Sequence, residues 1–339
     1  MEETAQQTSQ AESDQAAIDS LMQSCTAVRE QLAKVIVGQE EVVEQLLIVL
    51  LARGHALLEG VPGLAKTLLI STLADCMHLG FRRVQFTPDL MPSDILGSEV
   101  LQDDPETGER RFKFVKGPIF TNIMLADEIN RTPPKTQAAL LEAMAEKRVS
   151  AGTEDFTLEP PFFVLATQNP VEQEGTYPLP EAQVDRFMLK IKVGYPTKED
   201  ELEVMNKVAY GLSEPIAPVL QAEDIFAMRE VIDKIHVDDK INKYIIDLIF
   251  ASRYPQQYGI EDLDGLIEYG ASPRASIYLN KLARVYAFLQ GRAYVIPNDV
   301  KSIGMDVLRH RILVTFEAEA EEKTSEDIVE RIFDSVKVP

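Results

Sequence analysis

Cysteine and histidine are scarce in this chain of 339 residues. The two cysteines, Cys25 and Cys76, are too few for a disulfide framework and lack the spacing of a metal site, so we expect reduced thiols. The four histidines do not pair at the intervals typical of metal ligands, which disfavours a structural zinc site. The composition therefore argues against both a disulfide-rich secreted protein and a zinc protein.

Long apolar runs are also missing from the sequence. The run at residues 46–52 is among the longest, and it is far too short to cross a bilayer. No lysine or arginine precedes Arg29, so the basic region of a signal peptide is lacking. We therefore expect a cytoplasmic protein that does not insert into a membrane.

Basic residues are few relative to acidic ones. The chain has 34 Lys and Arg against 55 Asp and Glu, which gives a formal net charge of −21. Non-specific binding to nucleic acid depends on basic side chains that neutralise phosphates, and docking on anionic lipid depends on them too. The charge balance therefore disfavours nucleic acid as a partner.

The length of the chain favours more than one domain, because it exceeds what one hydrophobic core usually organises. Residues 1–17 are rich in Gln, Glu, Ser and Ala, and we expect a disordered acidic tail. Residues 18–195 alternate strand-length apolar runs with helical patterns, whereas helical periodicity dominates residues 196–339. The sequence thus predicts an α/β core, with a parallel sheet sandwiched by helices, and a separate α-helical lid domain.

A glycine-rich turn between a predicted strand and a predicted helix carries the strongest functional signal. Gly60 and Gly63 allow the backbone to bend so that its N–H groups point inward. Lys66 can then reach the β- and γ-phosphates of a nucleotide, and Thr67 can hold Mg²⁺. Ala65 stands where the strict P-loop pattern has glycine, and we expect a negative φ there, as at the start of a helix. The alternative is an ordinary strand-to-helix turn with a solvated lysine.

Two further apolar runs end in polar residues that suit the same site. The run 123–126 ends in Asp127 and Glu128, and a P-loop site needs one acid for the Mg²⁺ shell and one to orient the attacking water. Asp127 fits the first role and Glu128 the second. The run 162–166 leads to Asn169, which can bond the γ-phosphate or the water, unless it only forms an Asn-Pro turn. Since ligands bind at the carboxyl ends of such strands, we expect these side chains to lie together.

These motifs resemble those of the MoxR-type AAA+ ATPases. The similarity runs in the family's order from about residue 35 to the end of the chain. The matching segments are residues 35–39, 60–67, 85–94, 126–131, 140–144, 166–170, 180–187 and 272–274. The resemblance implies a P-loop AAA+ core with a C-terminal α-helical lid.

Two hairpins are predicted within the core. Alternating residues on both sides of a glycine-containing turn occur at residues 99–117 and again at residues 148–158. In the family, hairpins at these two points are the helix-2 insert and the pre-sensor-1 hairpin, and they face a central pore.

The resemblance implies ATP and Mg²⁺ as cofactors and extends the site beyond the phosphate loop. Thr67 and Asp127 would hold the metal, and the catalytic residues would be Lys66, Glu128, Asn169, Arg186 and Arg274. The residues implied in nucleotide binding are Val37, Gly38, Gly60, Val61, Pro62, Gly63, Leu64, Ala65, Lys66, Thr67 and Leu68.

Two arginines outside the phosphate loop have alternative interpretations. The sequence predicts that Ser272 is the N-cap of a helix, which places Arg274 in the first turn. A positive charge there is unfavourable for the helix dipole, which suggests that Arg274 has either a bound anion or an ion-pair partner. Arg186 suits a salt bridge to Asp185 or Glu181. The resemblance instead makes Arg274 the sensor-2 arginine and Arg186 an arginine finger that acts on ATP in a neighbouring subunit.

The resemblance further implies a homo-oligomer, a ring hexamer, that couples ATP hydrolysis to chaperone-like remodelling or maturation of a partner protein. Partners of relatives often carry a von Willebrand factor A domain. A nucleic-acid motor, a metal-chelatase-like subunit and an ATP-dependent assembly scaffold stay open as alternatives. The acidic tip of the first hairpin disfavours the motor, and Glu128 disfavours the scaffold, because binding alone needs no water-orienting acid.

Overall fold

The structure is a computed structural model of the chain. It describes residues 2–61, 63–103, 110–152, 154–169, 175–211 and 214–339, and of residues 2–17 and Arg111 it describes the backbone alone. Three predicted features therefore lie outside the described residues: Pro62 of the phosphate loop, residues 104–109 at the tip of the first hairpin, and Pro170 after Asn169.

Strands and helices alternate in the first part of the chain, and helices dominate the rest. The strands are β1 Ala56–Glu59, β2 Phe81–Gln85, β3 Gly97–Asp103, β4 Arg110–Lys116, β5 Ile123–Asp127, β6 Arg148–Ala151, β7 Glu154–Thr157, β8 Phe163–Gln168, β9 Leu189–Lys192, β10 Ile267–Tyr269 and β11 Leu313–Val314. The α-helices are α1 Glu2–Ala33, α2 Glu40–Leu51, α3 Lys66–Cys76, α4 Pro92–Leu96, α5 Pro134–Glu146, α6 Glu181–Val184, α7 Lys198–Ala209, α8 Ala222–Lys234, α9 Asp239–Arg253, α10 Pro273–Leu289, α11 Pro297–Leu308, α12 Phe316–Ala320 and α13 Ser325–Ser335. The segments Ile129–Arg131, Pro255–Tyr258 and Glu261–Leu263 form 3-10 helices. Within the described ranges, no helix is both long and apolar enough to cross a bilayer.

The central sheet has the strand order β2-β5-β8-β1-β9, and each neighbouring pair is parallel. The register places Gln85 opposite Asp127 and Glu59 opposite Gln168, so the carboxyl ends of these strands meet at one edge. The predicted parallel sheet is confirmed. Its carboxyl edge is the edge at which ligands of open α/β sheets bind.

Helices cover both faces of this sheet because its strands are apolar on both sides. Ile123 and Leu125 of β5 pack into one apolar cluster with α1, α2 and α3. Met124 and Ala126 of the same strand pack into a second cluster with α5. Near-continuous apolar strands of this kind are typical of buried parallel sheets.

The helical region after β9 packs on the first of these two faces. Buried leucines such as Leu279 and Leu282 of α10 join the same cluster as Val28 of α1 and Leu58 of β1. The lid that the sequence predicts as separate therefore shares a continuous apolar core with the sheet. The domain boundaries after residues 17 and 195 stay predictions.

Helix α1 begins at Glu2, in the segment for which the sequence predicts disorder. Gln, Glu and Ala have good helix propensity, so a helix can extend beyond the part of it that buries apolar side chains. Further along the helix, Ile18 is buried, at 1% exposure. A low content of large apolar residues therefore does not by itself exclude a helical backbone.

The two predicted hairpins are confirmed as antiparallel pairs. Strand β3 pairs with β4, and β6 pairs with β7. The two hairpins lie side by side, because Phe114 of β4 stacks on Phe156 of β7 with ring centroids 4.5 Å apart. Exposed apolar side chains remain on the first hairpin, notably Leu101 at 53% and Phe112 at 72% exposure.

The predicted backbone of Ala65 is wrong. Ala65 is the N-cap residue of α3, and its φ of +51° lies in the left-handed region, not in the helical region that we expected. The helix starts one residue later, at Lys66, so Ala65 belongs to the turn. This explains why the strict P-loop pattern has glycine at the position, since a side chain costs roughly 1–2 kcal/mol in this conformation.

We predict that Ala65→Gly raises the free energy of unfolding by about 1 kcal/mol, because glycine adopts positive φ without steric cost. Urea-induced unfolding of the nucleotide-free protein measures the change. Ala138→Gly, at an exposed position within α5, is the matched control and should lower stability by about 1 kcal/mol. Equal destabilisation by both substitutions would show that the left-handed backbone of Ala65 is not a source of strain.

Candidate functional site

A cavity of about 360 Å³ lies at the carboxyl edge of the central sheet. Five side chains that the sequence predicts for the site line it together, namely Lys66, Thr67, Asp127, Glu128 and Asn169. The remaining lining residues are Gly63, Leu64, Ala65, Arg83, Thr167 and Gln168. The phosphate loop and the ends of β5 and β8 therefore converge on one space, as the strand-end argument predicts.

Lys66 is the cation that the phosphate loop contributes to this cavity. Its Nζ donates a hydrogen bond to the carbonyl oxygen of Gly60 at the end of β1. Partial burial lowers the pKa of the Lys66 ammonium, while the charges of Asp127, Glu128 and Glu59 act in the opposite direction. The ammonium is thus bound to a neutral carbonyl oxygen. A phosphate oxygen is a stronger acceptor because it carries a charge.

Asp127 is fixed by hydrogen bonds to both carboxylate oxygens. Thr167 donates its hydroxyl to Oδ1 at 2.6 Å, and Arg83 donates to Oδ2 from Nη2 at 2.7 Å and from Nε at 3.0 Å. Thr167 is 1% exposed, and its hydroxyl oxygen also accepts the backbone N–H of Glu128 at 2.8 Å. One buried threonine thus links the ends of β5 and β8 and orients both acids.

Glu128 has a left-handed backbone, with φ of +58°. Its Oε2 accepts one hydrogen bond from Gln85 Nε2 at 2.6 Å and another from Arg131 Nη1 at 2.9 Å. The amide oxygen of Gln85 in turn accepts from Arg83 Nη2 at 2.7 Å. A positive φ on a glutamate is uncommon, and such backbone strain is concentrated at functional sites.

Arg186 and Arg274 do not line this cavity. Arg274 Nη1 lies 3.2 Å from Asp185 Oδ2, which is the ion pair that the sequence offers as its structural role. Arg186 donates instead to the carbonyl oxygen of Leu141 at 2.8 Å. Asp185 Oδ1 also accepts from Nε of the buried Arg311 at 2.8 Å. Asp185 therefore pairs with Arg274 and Arg311, and the charges of Arg186, Arg274 and Arg311 all act on the nearby Tyr278.

The remaining predicted nucleotide residues lie around the loop rather than in the cavity. Gly38, with φ of +70°, comes so close to Asp200 of α7 that an added Cβ would lie 2.5 Å from a carboxylate oxygen. Its neighbour Gln39 donates to the carbonyl oxygen of Leu64 at 3.2 Å, which ties this segment to the phosphate loop. Leu68 is 47% exposed on α3. The roles of Val37, Gly38, Val61 and Leu68 stay predictions.

Four residues with contacts in the site received no role from the sequence. Arg83 and Gln85 come from β2, Arg131 from the 3-10 helix, and Thr167 from the last part of β8. Gln85 and Thr167 lie at or next to strand ends, the position that marked Asp127. Both positions satisfy the strand-end criterion, which is the signal in the sequence that points to them.

We predict that Gln85→Ala lowers the turnover number for ATP about tenfold and leaves the dissociation constant of ATP within about twofold. The substitution removes one of the two hydrogen bonds that hold the Glu128 carboxylate, and small misplacements of a catalytic group are costly. Steady-state kinetics and calorimetric titration separate the two constants. Gln256→Ala, at an exposed position, serves as the control. Wild-type turnover in Gln85→Ala would show that this contact does not position Glu128.

Comparison with known families gives two matches along the chain. Residues 55–189 match the model of the ATPase family associated with various cellular activities (AAA). Residues 263–332 match the model of the AAA lid domain. The first match contains the cavity-lining residues, and the second contains Arg274.

Individual relatives are similar over most of the chain. The chaperone MoxR1 of Mycobacterium tuberculosis is 44% identical over 91% of this chain and 81% of its own length. The protein YeaC of Bacillus subtilis is 43% identical over 91% of this chain and 93% of its own length. A solved structure from Cytophaga hutchinsonii has a TM-score of 0.90 at 46% identity and covers 98% of this chain and 99% of its own. With the phosphate loop, the paired acids and the lid in place, the chain belongs to the MoxR family of AAA+ ATPases.

Proposed function

We propose that this protein binds ATP with Mg²⁺ and hydrolyses it. The observation that carries the proposal is the convergence of Lys66, Thr67, Asp127, Glu128 and Asn169 on one cavity. Lys66 would exchange its bond to the Gly60 carbonyl for the β- and γ-phosphates. Asn169 is 7% exposed, so its amide is shielded from solvent at the place where the γ-phosphate would lie.

The donor set of this cavity fits Mg²⁺. Thr67 offers a hydroxyl and Asp127 a carboxylate, and this ion prefers hard oxygen ligands. When bound, Mg²⁺ supplies charge neutralisation for the phosphates. Arg83 bonds Asp127 Oδ2, and because its side chain is 46% exposed it has room to move aside when the metal binds.

Glu128 is the group that we assign to the attacking water. Its carboxylate lines the cavity beside Asp127, and the bonds from Gln85 and Arg131 both go to Oε2. The other oxygen is thus available to accept a proton or a hydrogen bond from water. A water-orienting acid serves hydrolysis, which favours an ATPase over a scaffold that only binds ATP. Because ATP is the substrate, the proposal also implies a cytoplasmic protein.

We predict distinct defects for the lysine and the two acids. Lys66→Ala should weaken ATP binding about 10–100-fold, since a hydrogen bond to a charged group contributes roughly 1.5–3 kcal/mol. Glu128→Gln should bind ATP normally but hydrolyse it on the order of 10² more slowly. Asp127→Asn should weaken the Mg²⁺-dependent part of binding. Calorimetric titration and a phosphate-release assay measure these effects, with the exposed Lys243→Ala as control.

The same variants test the proposed chaperone-like role. Glu128→Gln should stay in the ATP-bound state and retain its partner protein in a pull-down, whereas Lys66→Ala should not. Turnover of Glu128→Gln at the wild-type rate would refute the assigned acid roles. ATP-dependent capture of nucleic acid in place of a protein would refute the remodelling function.

We further propose that the active site is completed between subunits of a ring hexamer. Arg186 and Arg274 lie outside the cavity of their own chain. Arg274 shares the carboxylate of Asp185 with Arg311, and Arg186 follows Asp185 directly in the sequence and donates to the carbonyl oxygen of Leu141. Two arginines paired with a single acid, with Arg186 next to that acid in the sequence, leave excess positive charge, which suits an anion brought by another molecule. A neighbouring subunit with ATP in its cavity would supply that anion, so the arginines would act in trans.

The remodelling role would use the paired hairpins. Their stacked phenylalanines make them one unit, and exposed Leu101 and Phe112 offer an apolar surface that suits a polypeptide better than a nucleic acid. In a ring this unit would face the pore. The partner would be a protein, with one that carries a von Willebrand factor A domain as the candidate that the family suggests.

We predict that Arg186→Ala binds ATP with little loss but hydrolyses it roughly 10³-fold more slowly, as for other arginine fingers. A mixture of Arg186→Ala with Lys66→Ala should regain activity, because some interfaces combine an intact phosphate loop with an intact arginine. A mixture of Arg186→Ala with the double variant Arg186→Ala, Lys66→Ala is the matched control and should stay inactive. If both mixtures are equally inactive, and wild-type activity does not rise with protein concentration, the site lies within one chain.

A further inference from the structure

A second basic region lies far from the phosphate loop, at the amino-terminal side of the sheet. Its cations come from separate elements: Arg53 follows α2, Lys147 follows α5, Arg229 lies on α8, and Lys281 and Arg284 lie on α10. Two adjoining cavities, of about 480 and 420 Å³, share Arg53. Such a concentration of positive charge is unexpected in a chain with a net charge of −21.

The larger of these cavities contains the feature that points to a ligand. Arg229 lines it and is only 5% exposed, yet no carboxylate in the described part of the chain lies within ion-pair distance of it. Its Nη2 donates to the carbonyl oxygen of Leu50 at 2.6 Å, and its Nε has no hydrogen-bond partner among the described residues. Burial lowers the pKa of Arg229 to about 10. The charge of Asp233 acts on Arg229 in the opposite direction, but from beyond ion-pair distance. A buried charge without a contact ion pair is destabilising, and an anion in the cavity would reduce that cost.

The acids near these cations do not neutralise them. Asp233 is bound by Arg53 through two hydrogen bonds, of 2.9 and 2.7 Å. Glu230 lines the larger cavity but is exposed to solvent. Partial burial lowers the pKa of Lys147, and repulsion from Arg229, Lys281 and Arg53 acts in the same direction. The described residues that line the two cavities thus include five cations and two acids, so the lining keeps a net positive charge.

The size and walls of the larger cavity limit the kind of anion that fits. Its volume of about 480 Å³ suits a small molecule, not a helix or a nucleic-acid strand. Phe162 and Phe226 form an apolar wall beside the cations. The guanidinium groups of Arg53 and Arg229 and the ammonium of Lys147 are groups of the kind that proteins use to bind phosphate.

We propose that this cavity is a binding site for a small phosphorylated molecule, held by Arg53, Lys147 and Arg229. The ligand would contact elements that lead to the catalytic centre, since Arg53 lies between α2 and β1, and Phe162 directly precedes β8. It would also contact α8 of the lid. The site is distinct from the phosphate loop, and its existence does not depend on ATP hydrolysis.

Titration of tripolyphosphate into the full-length Lys66→Ala variant tests the proposal, because this background removes the cation of the phosphate loop. We expect one molecule bound per chain, with an affinity that falls as salt rises. Adding Lys147→Gln should weaken binding at least tenfold. Lys147 is exposed and its substitution should leave the fold intact, which circular dichroism and the melting temperature without ligand check.

Two further variants and a comparison of ligands test whether binding occurs in this cavity. Adding Lys301→Gln, an exposed lysine on α11, should change nothing, whereas Lys281→Gln in the adjoining cavity should weaken binding less than threefold. A nucleoside monophosphate that binds more tightly than inorganic phosphate would show that the apolar wall contacts the ligand. Unchanged affinity in Lys147→Gln, or equal affinity for oligoglutamate and tripolyphosphate, would overturn the proposal.

Discussion

The hydrogen bond from Thr167 to Asp127 is the interaction on which the candidate active site depends. It joins the ends of two neighbouring parallel strands, and the same threonine oxygen accepts the N–H of Glu128. Because Thr167 is buried, water competes little for these bonds. The left-handed backbone of Glu128 is thereby held in place, and the two acids keep a fixed relation to the phosphate loop on β1.

The charges of the site form one connected network. Arg83 bonds both Asp127 and Gln85, and Gln85 bonds Glu128, so the two acids are coupled through β2. A phosphate that draws Lys66 from its carbonyl, or a metal that displaces Arg83, would alter the network at both acids. The chemistry of the phosphates and the position of Glu128 are therefore not independent.

The sequence predicted the convergence of Lys66, Asp127 and Asn169 because the ends of parallel strands share an edge, and this rule needs no tertiary information. The rule does not predict contacts that depend on the register between neighbouring strands. Arg83 lies in the middle of the edge strand β2, whose residues are half-buried or exposed, so only the pairing with β5 reveals its contact with Asp127. The turn geometry of Ala65 was missed for a different reason, since helix periodicity gives no sharp N-terminal boundary.

The continuous apolar core between the lid helices and the sheet limits how this protein can move. Leu279 of α10 and Leu58 of β1 lie in the same buried cluster, so swinging the lid away would expose apolar surface at about 2.5 kcal/mol for every 100 Å². A hinge motion within the chain therefore has a large free-energy cost. The chain would behave as one rigid block, and in the proposed ring any large motion would occur between whole subunits rather than within one.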